Sequence, residues 1–492
     1  MTTLRPLLAE SESPIYLVGG AVRDALLGRA SHDLDFAIRD NAITVARCVA
    51  DALDGAFYVL DAERGTARVI LGEAVLDFAR FRGDSLLADL RDRDFTINAI
   101  ALPSESADPE AIIDPLNGQD DLAAQLIRAT DPAAIRRDPL RGLRAVRLAA
   151  ELGFHLLPET GDLIRAASDG LATVSAERIR DEFCRLLIAP AGNPVRLVDQ
   201  LALLQHVLPE LLLTKGVFQP APHTLDVFEH GLLTLEQLDP LLRAIAAPPS
   251  DSHLQEPLAL AHDYLATYAS CLEKHLARRT TCRRSGRVLL FLGALLHDVG
   301  KPASRTVDEN GRIRFLGHEQ LGEEIVRKRA RKLALSAREV RQVATMVRHH
   351  MRPALLSQTH PTARPSRRAI HRFFKDVGAN GLDICLLSLA DGLAKGAPPE
   401  PADWERRVQT VATLLDHFFH HYDRTVAPPP LLSGRELMSE LGIHPGPEVG
   451  RLLQLIQEAQ AAGEVTTVAA ALTLAREACT STENEPGIRP DR

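Results

Sequence analysis

The sequence predicts an α+β chain: a mixed α/β unit first, then a long remainder that is helical throughout. Three observations carry this. Over residues 1–130, short strand-like runs ("IYLVGG", "LDFAI", "FYVLD", "ARVILG", "AVLDFARF") alternate with helical ones such as "AITVARCVADAL". From 131 to about 215, apolar residues recur at three-to-four spacing with breaks such as "LGF". After 215 the helical pattern continues with little strand content, divided by Pro-rich breaks at 247–249, 396–401 ("GAPPEP") and 427–430 ("APPP").

A chain of 492 residues exceeds one ordinary core. The expected division is a head at 1–130, a helical neck at 131–215, a second helical domain at 216–400 and a C-terminal helical region at 401–478. A disordered tail is expected at 479–492, because "CTSTENEPGIRPDR" lacks apolar periodicity. Hydrophobic content of 45% and charged content of 25% are those of an ordinary globular protein. The longest apolar run, "VLLFLGALL" at 288–296, is far below the roughly 20 residues that span a bilayer. No basic start leads into an apolar segment, so no signal peptide and a cytoplasmic location are expected. The six cysteines (Cys48, Cys184, Cys271, Cys282, Cys385, Cys479) show no C-x-x-C spacing, which favours a reduced compartment over zinc ribbons or disulfides.

Net charge is −8, mildly against a nucleic-acid partner, yet arginines cluster at 136–147, 278–287, 327–332 and 364–375. Arginine binds phosphates and base edges bidentately where lysine offers a point charge.

In "YLVGGAVRDALLGRASHDLDFAI" (16–38), Asp33 and Asp35 occupy i and i+2 of a strand and therefore project side by side. Two adjacent carboxylates repel unless a cation sits between them, and hard oxygen donors suit Mg²⁺. Asp77 in "AVLDFARF" supplies a third acid, the number that two-metal phosphoryl transfer uses. Gly19 and Gly20 would let backbone N–H groups approach a phosphate, with a helix starting near Ala21 and Arg23 in its first turn. Either motif alone would mean little; their order and spacing together are specific.

These stretches resemble the nucleotidyltransferase superfamily, and within it the bacterial class II tRNA nucleotidyltransferase and poly(A) polymerase family. The resemblance extends through "RDFTINAIA" (93–101), "IDPLNGQDDL" (113–122), "RDPLRGLRAVRLAAELGF" (137–154) and "SAERIRDEFCRLL" (175–187). It implies a polymerase-β-like head with Asp33, Asp35 and Asp77 as catalytic residues and Mg²⁺ on Asp33 and Asp35. It further implies that Arg93, Asp94 and Asn98 contact ribose and triphosphate. Asp138 and Arg141, three apart and expected on one helix face with Arg144 and Arg147, would act as a protein template. Their chemistry suits that role: an aspartate accepts from the exocyclic amino group that C and A share, and an arginine donates to the adjacent ring nitrogen. The expected partners are tRNA and CTP or ATP, without a membrane or an obligatory protein partner.

The chain departs from the family pattern at Asp92 and Arg137, where arginine and glutamate are usual. Only nine residues separate Arg82 from Asp92. Full CCA-adding members usually carry a longer flexible segment there that switches the pocket from C to A, so CCA-adding, CC-adding and poly(A)-adding products all stay open.

"LLFLGALLHDVGKP" places His297 and Asp298 at the end of an apolar helix, an expensive position for both unless paired or metal-bound. With His230, His318, His350 (or its neighbour His349) and Asp391, the order H…HD…H…H…D resembles the HD phosphohydrolase superfamily. That implies one or two divalent metals of open identity, Lys301 toward a phosphate, and hydrolysis of 2′,3′-cyclic or terminal phosphates on RNA ends. "LLSGRELMSELGIHPGPEVGRLLQLIQEAQAAGEVTT" (431–467) resembles the family's RNA-contacting C-terminal helices. The rival of a different kind is an HD phosphohydrolase with a silent head.

Overall fold

A computed structural model describes residues 3–9, 11–106, 108–189, 193–248, 254, 256–279, 284–359 and 364–483. The chain forms two compact units, Met1–Pro209 and Glu210–Arg492.

The first unit is built on a six-stranded sheet of order β3-β4-β5-β2-β1-β6. Its strands are β1 (Ile15–Val18), β2 (Asp33–Ile38), β3 (Ala56–Asp61), β4 (Thr66–Leu71), β5 (Ala74–Arg80) and β6 (Ala101–Pro103). Neighbours are antiparallel except β2 and β5, which run parallel. Helix α1 (Gly20–Leu26) joins β1 to β2, and α2 (Ala42–Leu53) lies on β4 and β5. The buried face of α2 is small, Ala42, Ala46, Val49 and Ala50, so its backbone approaches the sheet closely. Period-two alternation divides β2 and β5 by chemistry: Phe36 stacks on Phe78 (4.9 Å) in the core, and the aspartates take the other face.

Helices α3 (Leu140–Leu152) and α4 (Ala176–Leu187) pack together after the sheet. A short parallel pair, β7 (Leu126–Ile127) and β8 (His155–Leu156), precedes and follows α3.

The second unit centres on α6 (Gly286–Leu296), in which every residue but Arg287 is buried. Around it lie α5 (Val227–Ala246), α8 (Ala337–His349) and α9 (Asn380–Leu393), with α7 (His318–Lys332) against α8 and α10 (Pro401–His420) against α9. Helices α11 (Gly434–Leu441), α12 (Pro447–Ala462) and α13 (Val468–Glu483) enclose their own core of Leu437, Leu452 and Ile456.

The little strand content expected after 215 is a small antiparallel hairpin, β9 (Thr306–Val307) with β10 (Ile313–Arg314). One expectation is corrected. Residues 479–483 belong to α13 rather than to a disordered tail, because helical hydrogen bonding outlasts the apolar pattern; residues 484–492 lie outside the described residues.

Candidate active site and metal centre

Asp35 and Asp77 are direct register partners across the parallel β2–β5 pair, and Asp33 is two residues before Asp35 on the same face. The trio is therefore gathered at one end of the sheet. Burial raises the Asp35 carboxyl pKa; Arg93 partly offsets this, and the like charges of Asp77 and Asp33 push it further up. A carboxylate destabilised in this way gains from a bound cation, and three hard oxygen donors fit a divalent metal.

Beside the trio, Gly19 has φ +73°, and a Cβ there would meet Arg93 Nη1 at 3.1 Å and Asp35 Oδ2 at 3.4 Å. Only glycine leaves this edge of the site open. Helix α1 is seven residues long, and Gly19 gives it no side-chain cap. Arg23 bonds to Asp24 Oδ1 (2.9 Å) and to Asn98 Oδ1 (2.7 Å). Arg93 is held by Asp89 Oδ2 (3.0 Å).

Asp94 is buried. Its burial alone would raise its pKa, but Arg144 and hydrogen bonds from Asn98 and the Phe95 N–H outweigh that and leave it lowered. Arg144 Nη1 donates to Asp94 Oδ2 at 3.1 Å, and Arg147 Nε donates to Glu182 Oε2 at 2.8 Å. Thus "RDFTINA" is tied to α3 by the Asp94–Arg144 pair, and Arg144 and Arg147 tie α3 to Glu182 of α4.

The expected Asp138–Arg141 face is a correction. Asp138 lies outside α3 in an extended conformation (φ −143°, ψ 94°), as the residue before a proline is driven to be. Its carboxylate accepts from Arg178 Nη2 at 2.7 Å. Arg141 is buried and donates to the carbonyls of Asp92 (2.6 Å), Arg93 (3.1 Å) and Ala134 (3.1 Å).

The sequence reading also missed Arg68. It faces Asp77 across β4–β5 and grips both carboxylate oxygens at 2.7 Å. Strand alternation in "TARVIL" carried the signal, because Arg68 sits between the buried Ala67 and Val69.

In the second unit His230, His297, Asp298, His318, His350 and Asp391 converge. His297 Nε2 lies 3.3 Å from His230 Nε2 and 3.2 Å from Asp298 Oδ2. His318 Nε2 lies 3.5 Å from His350 Nε2 and 3.4 Å from Asp298 Oδ1. Asp391 Oδ1 is 3.1 Å from His230 Nε2, and Arg407 holds its other oxygen at 3.2 Å. All four histidines place Nδ1 on a main-chain carbonyl: His230 on Ala394 (2.9 Å), and His297, His318 and His350 on Ala294, Phe315 and Val347 (each 2.8 Å). That fixes the tautomer and turns four Nε2 lone pairs inward, as metal ligation requires.

Asp298 Oδ1 is buried with no hydrogen-bond partner, and burial with His297 nearby pushes His350 down to about 3. Both leave donors free, so the set fits one or two divalent ions. Of the two neighbouring histidines, His350 is the one that joins the cluster.

Lys301 is a correction. Its ammonium is bound internally, to Asp298 Oδ2 and Gln219 Oε1 (2.5 Å each), and not presented to a phosphate. His223 was missed: its ring stands 4.8 Å from that of His230, and the only sequence cue is a second histidine seven residues upstream.

Sheet order, carboxylate register and the open glycine turn define the class: a nucleotidyltransferase whose second unit carries an HD metal centre. Family models agree, with the poly A polymerase head domain matching residues 15–128 and the HD domain matching 264–395. The probable RNA and SrmB-binding site of polymerase A matches 153–213. An A-adding tRNA nucleotidyltransferase of Deinococcus radiodurans is 35% identical over 94% of this chain and 95% of its own length. A CC-adding tRNA nucleotidyltransferase of Thermus thermophilus is 34% identical over 94% of each chain. The chain belongs to the bacterial tRNA nucleotidyltransferase family. Solved structures share the fold at 20% identity: a CCA-adding enzyme with ATP (TM-score 0.61, 98% of this chain and 95% of that one) and the Thermotoga maritima enzyme with tRNA (TM-score 0.57, 97% and 95%). Among the described residues, no helix is long and apolar enough to cross a membrane.

Proposed function

We propose that the chain extends the 3′ end of tRNA with C and/or A from CTP and/or ATP, without a nucleic-acid template. The observation that carries this is the gathering of Asp33, Asp35 and Asp77 beside the Gly19 turn. Asp33 and Asp35 would hold a divalent ion, Mg²⁺ by the hardness of the donors, which would acidify the attacking 3′-hydroxyl and neutralise the triphosphate. A bond forms from O3′ to the α-phosphorus as the bond to the pyrophosphate oxygen breaks. Arg93, held at the glycine turn by Asp89, would meet phosphate oxygens. Asn98, fixed by Arg23 and Asp94, suits a ribose hydroxyl.

For base choice, Asp138 supplies the acceptor for the amino group shared by C and A. Arg178 is the guanidinium already beside it, whereas Arg141 reaches a base only by releasing a carbonyl. Asp138→Ala is expected to relax C/A preference more than it weakens tRNA binding, read from competing-nucleotide incorporation. An unchanged preference would remove Asp138 from the template.

Extension by a single nucleotide type is favoured by the segment between Arg82 and Asp92. It is not a long loop: Ser85 caps Leu86–Arg91, and Asp89 is buried against Arg93. The two relatives described above carry names of one-nucleotide enzymes, A-adding and CC-adding. The deciding experiment offers purified protein tRNA lacking CCA, tRNA ending in C and tRNA ending in CC, with each nucleotide alone. Asp33→Ala should abolish every incorporation while leaving the circular dichroism spectrum unchanged; near-normal turnover refutes the site.

The HD centre supports a second activity in the same chain, metal-dependent hydrolysis of phosphate esters on RNA ends. Four inward Nε2 atoms and an unpartnered Asp298 oxygen are the observation behind it. Its test is hydrolytic opening of a 2′,3′-cyclic phosphate on an RNA end to a phosphomonoester, lost in Asp298→Asn.

A further inference from the structure

Residues 327–341 hold seven arginines and lysines against one acid, Glu339, in a chain of net charge −8. They cover the end of α7 and the start of α8. Some of these charges have internal partners. Arg329 closes on Glu210 (2.8 Å), Arg327 on Glu323 (2.7 Å), and the buried Glu339 is taken by Arg284 (2.7 Å). Arg331 and Arg341 are exposed, and among the described residues their side chains form no ion pair or hydrogen bond. With Arg327 they line a cleft of 320 Å³ whose other walls are Leu335, Ala337 and Val340.

Arg331 and Arg341 stand uncompensated around the cleft, beside an Arg327 that Glu323 already holds, and no carboxylate lines it, so the two free guanidinium groups repel one another. Nothing in the fold uses that arrangement, so an anion is the natural occupant. The cleft offers charge and aliphatic surface but no amide, carboxylate or aromatic ring to read a base or a ribose. Its contacts are therefore of the kind that position a nucleic acid through its backbone without reading sequence. Arginine's planar fork, free here on two side chains, matches a phosphodiester bidentately.

We propose that the Arg327–Arg331–Arg341 cleft binds backbone phosphates of the tRNA. This rests on the reading of the chain as a tRNA-extending enzyme and adds a contact region separate from both the carboxylate trio and the metal centre.

The test uses the full chain and a tRNA lacking its 3′ terminus, with Kd measured by fluorescence anisotropy across a salt series. Arg331→Gln/Arg341→Gln should weaken binding roughly tenfold and reduce the slope of log Kd against log salt by about 1.5 to 2, as expected for two lost phosphate contacts. The kcat at saturating tRNA and the KM for the nucleotide should not change. Unaltered affinity and slope overturn the proposal. So does a raised nucleotide KM, or strong competition by inorganic tripolyphosphate at a cleft-dependent site without loss of tRNA affinity, since the cleft would then serve free polyphosphate. If the double variant melts early, Arg331→Glu, a single change at an exposed position, should give the affinity loss alone. Wild-type incorporation run alongside tests the proposed function separately: a chain that binds tRNA through this cleft but adds no nucleotide would refute that function and leave the cleft standing.

Discussion

Arg68 sits where a metal-site carboxylate would otherwise be free, gripping both oxygens of Asp77. It orients that side chain and removes negative charge from the trio at the same time. Removing it should therefore split two quantities that usually move together. In Arg68→Met, kcat is expected to fall about tenfold as Asp77 loses its orientation, while the Mg²⁺ concentration for half-maximal rate falls because a competing cation is gone. A raised Mg²⁺ requirement would contradict this account. Asp94 gives a pH signature. Its native pKa lies below the ordinary value of about 3.9, so its stabilising contribution is complete above that value and fades as pH falls toward the native pKa. Asp94→Asn should cost about 1.5 kcal/mol at neutral pH, since Arg144 is partly exposed and keeps Glu182, and urea melts should show the deficit narrowing below about pH 4. At this scale the sequence was legible where chemistry repeats at strand period, as in Asp33 and Asp35. It misled at Asp138, although Pro139 stood next to it as a warning. Arg141's inward turn had no sequence signal, because the carbonyls that recruit it come from residues 92, 93 and 134.

Elements are held to the metal centre by close backbone contact as much as by side chains. A Cβ on Gly300 would stand 2.1 Å from the His318 carbonyl oxygen and 2.6 Å from the Gly322 nitrogen. The turn after His297–Asp298 is thus pressed directly on the start of α7. Gly300→Ala should cost about 3 kcal/mol through overpacking and, by shifting His318, lower the bound metal per chain measured by elemental analysis. Full metal content with an unchanged melting temperature would show that α7 can yield. Longer elements were legible from periodicity, including all five of the first strands. The two- and three-residue strands β6 to β10 were not, since so few residues carry no period to read.

The molecule divides at Pro209–Glu210. Carboxylate trio and histidine cluster fall in different units, so their chemistries should be separable by mutation. Asp298→Asn is expected to abolish metal uptake by the cluster and leave nucleotide incorporation near wild type. Calorimetry should show added transition metal raising one melting transition, with that shift absent in the variant. Loss of incorporation in Asp298→Asn would tie the two chemistries together. Net charge was a poor guide at this scale: a value of −8 conceals a stretch with an excess of six positive charges at 327–341, which only the local clustering of arginines at 327–332 revealed.

Lys301 places an ammonium on Asp298 Oδ2, deep among the histidines. A small metallodomain that folds only around its ion is at the mercy of supply, because its ligands repel or stay unsatisfied until loading. Here a covalently tethered cation already stands at the central carboxylate. The charge at the centre of the cluster is thus balanced by the chain itself, and the unit should keep its fold when the metal is chelated away.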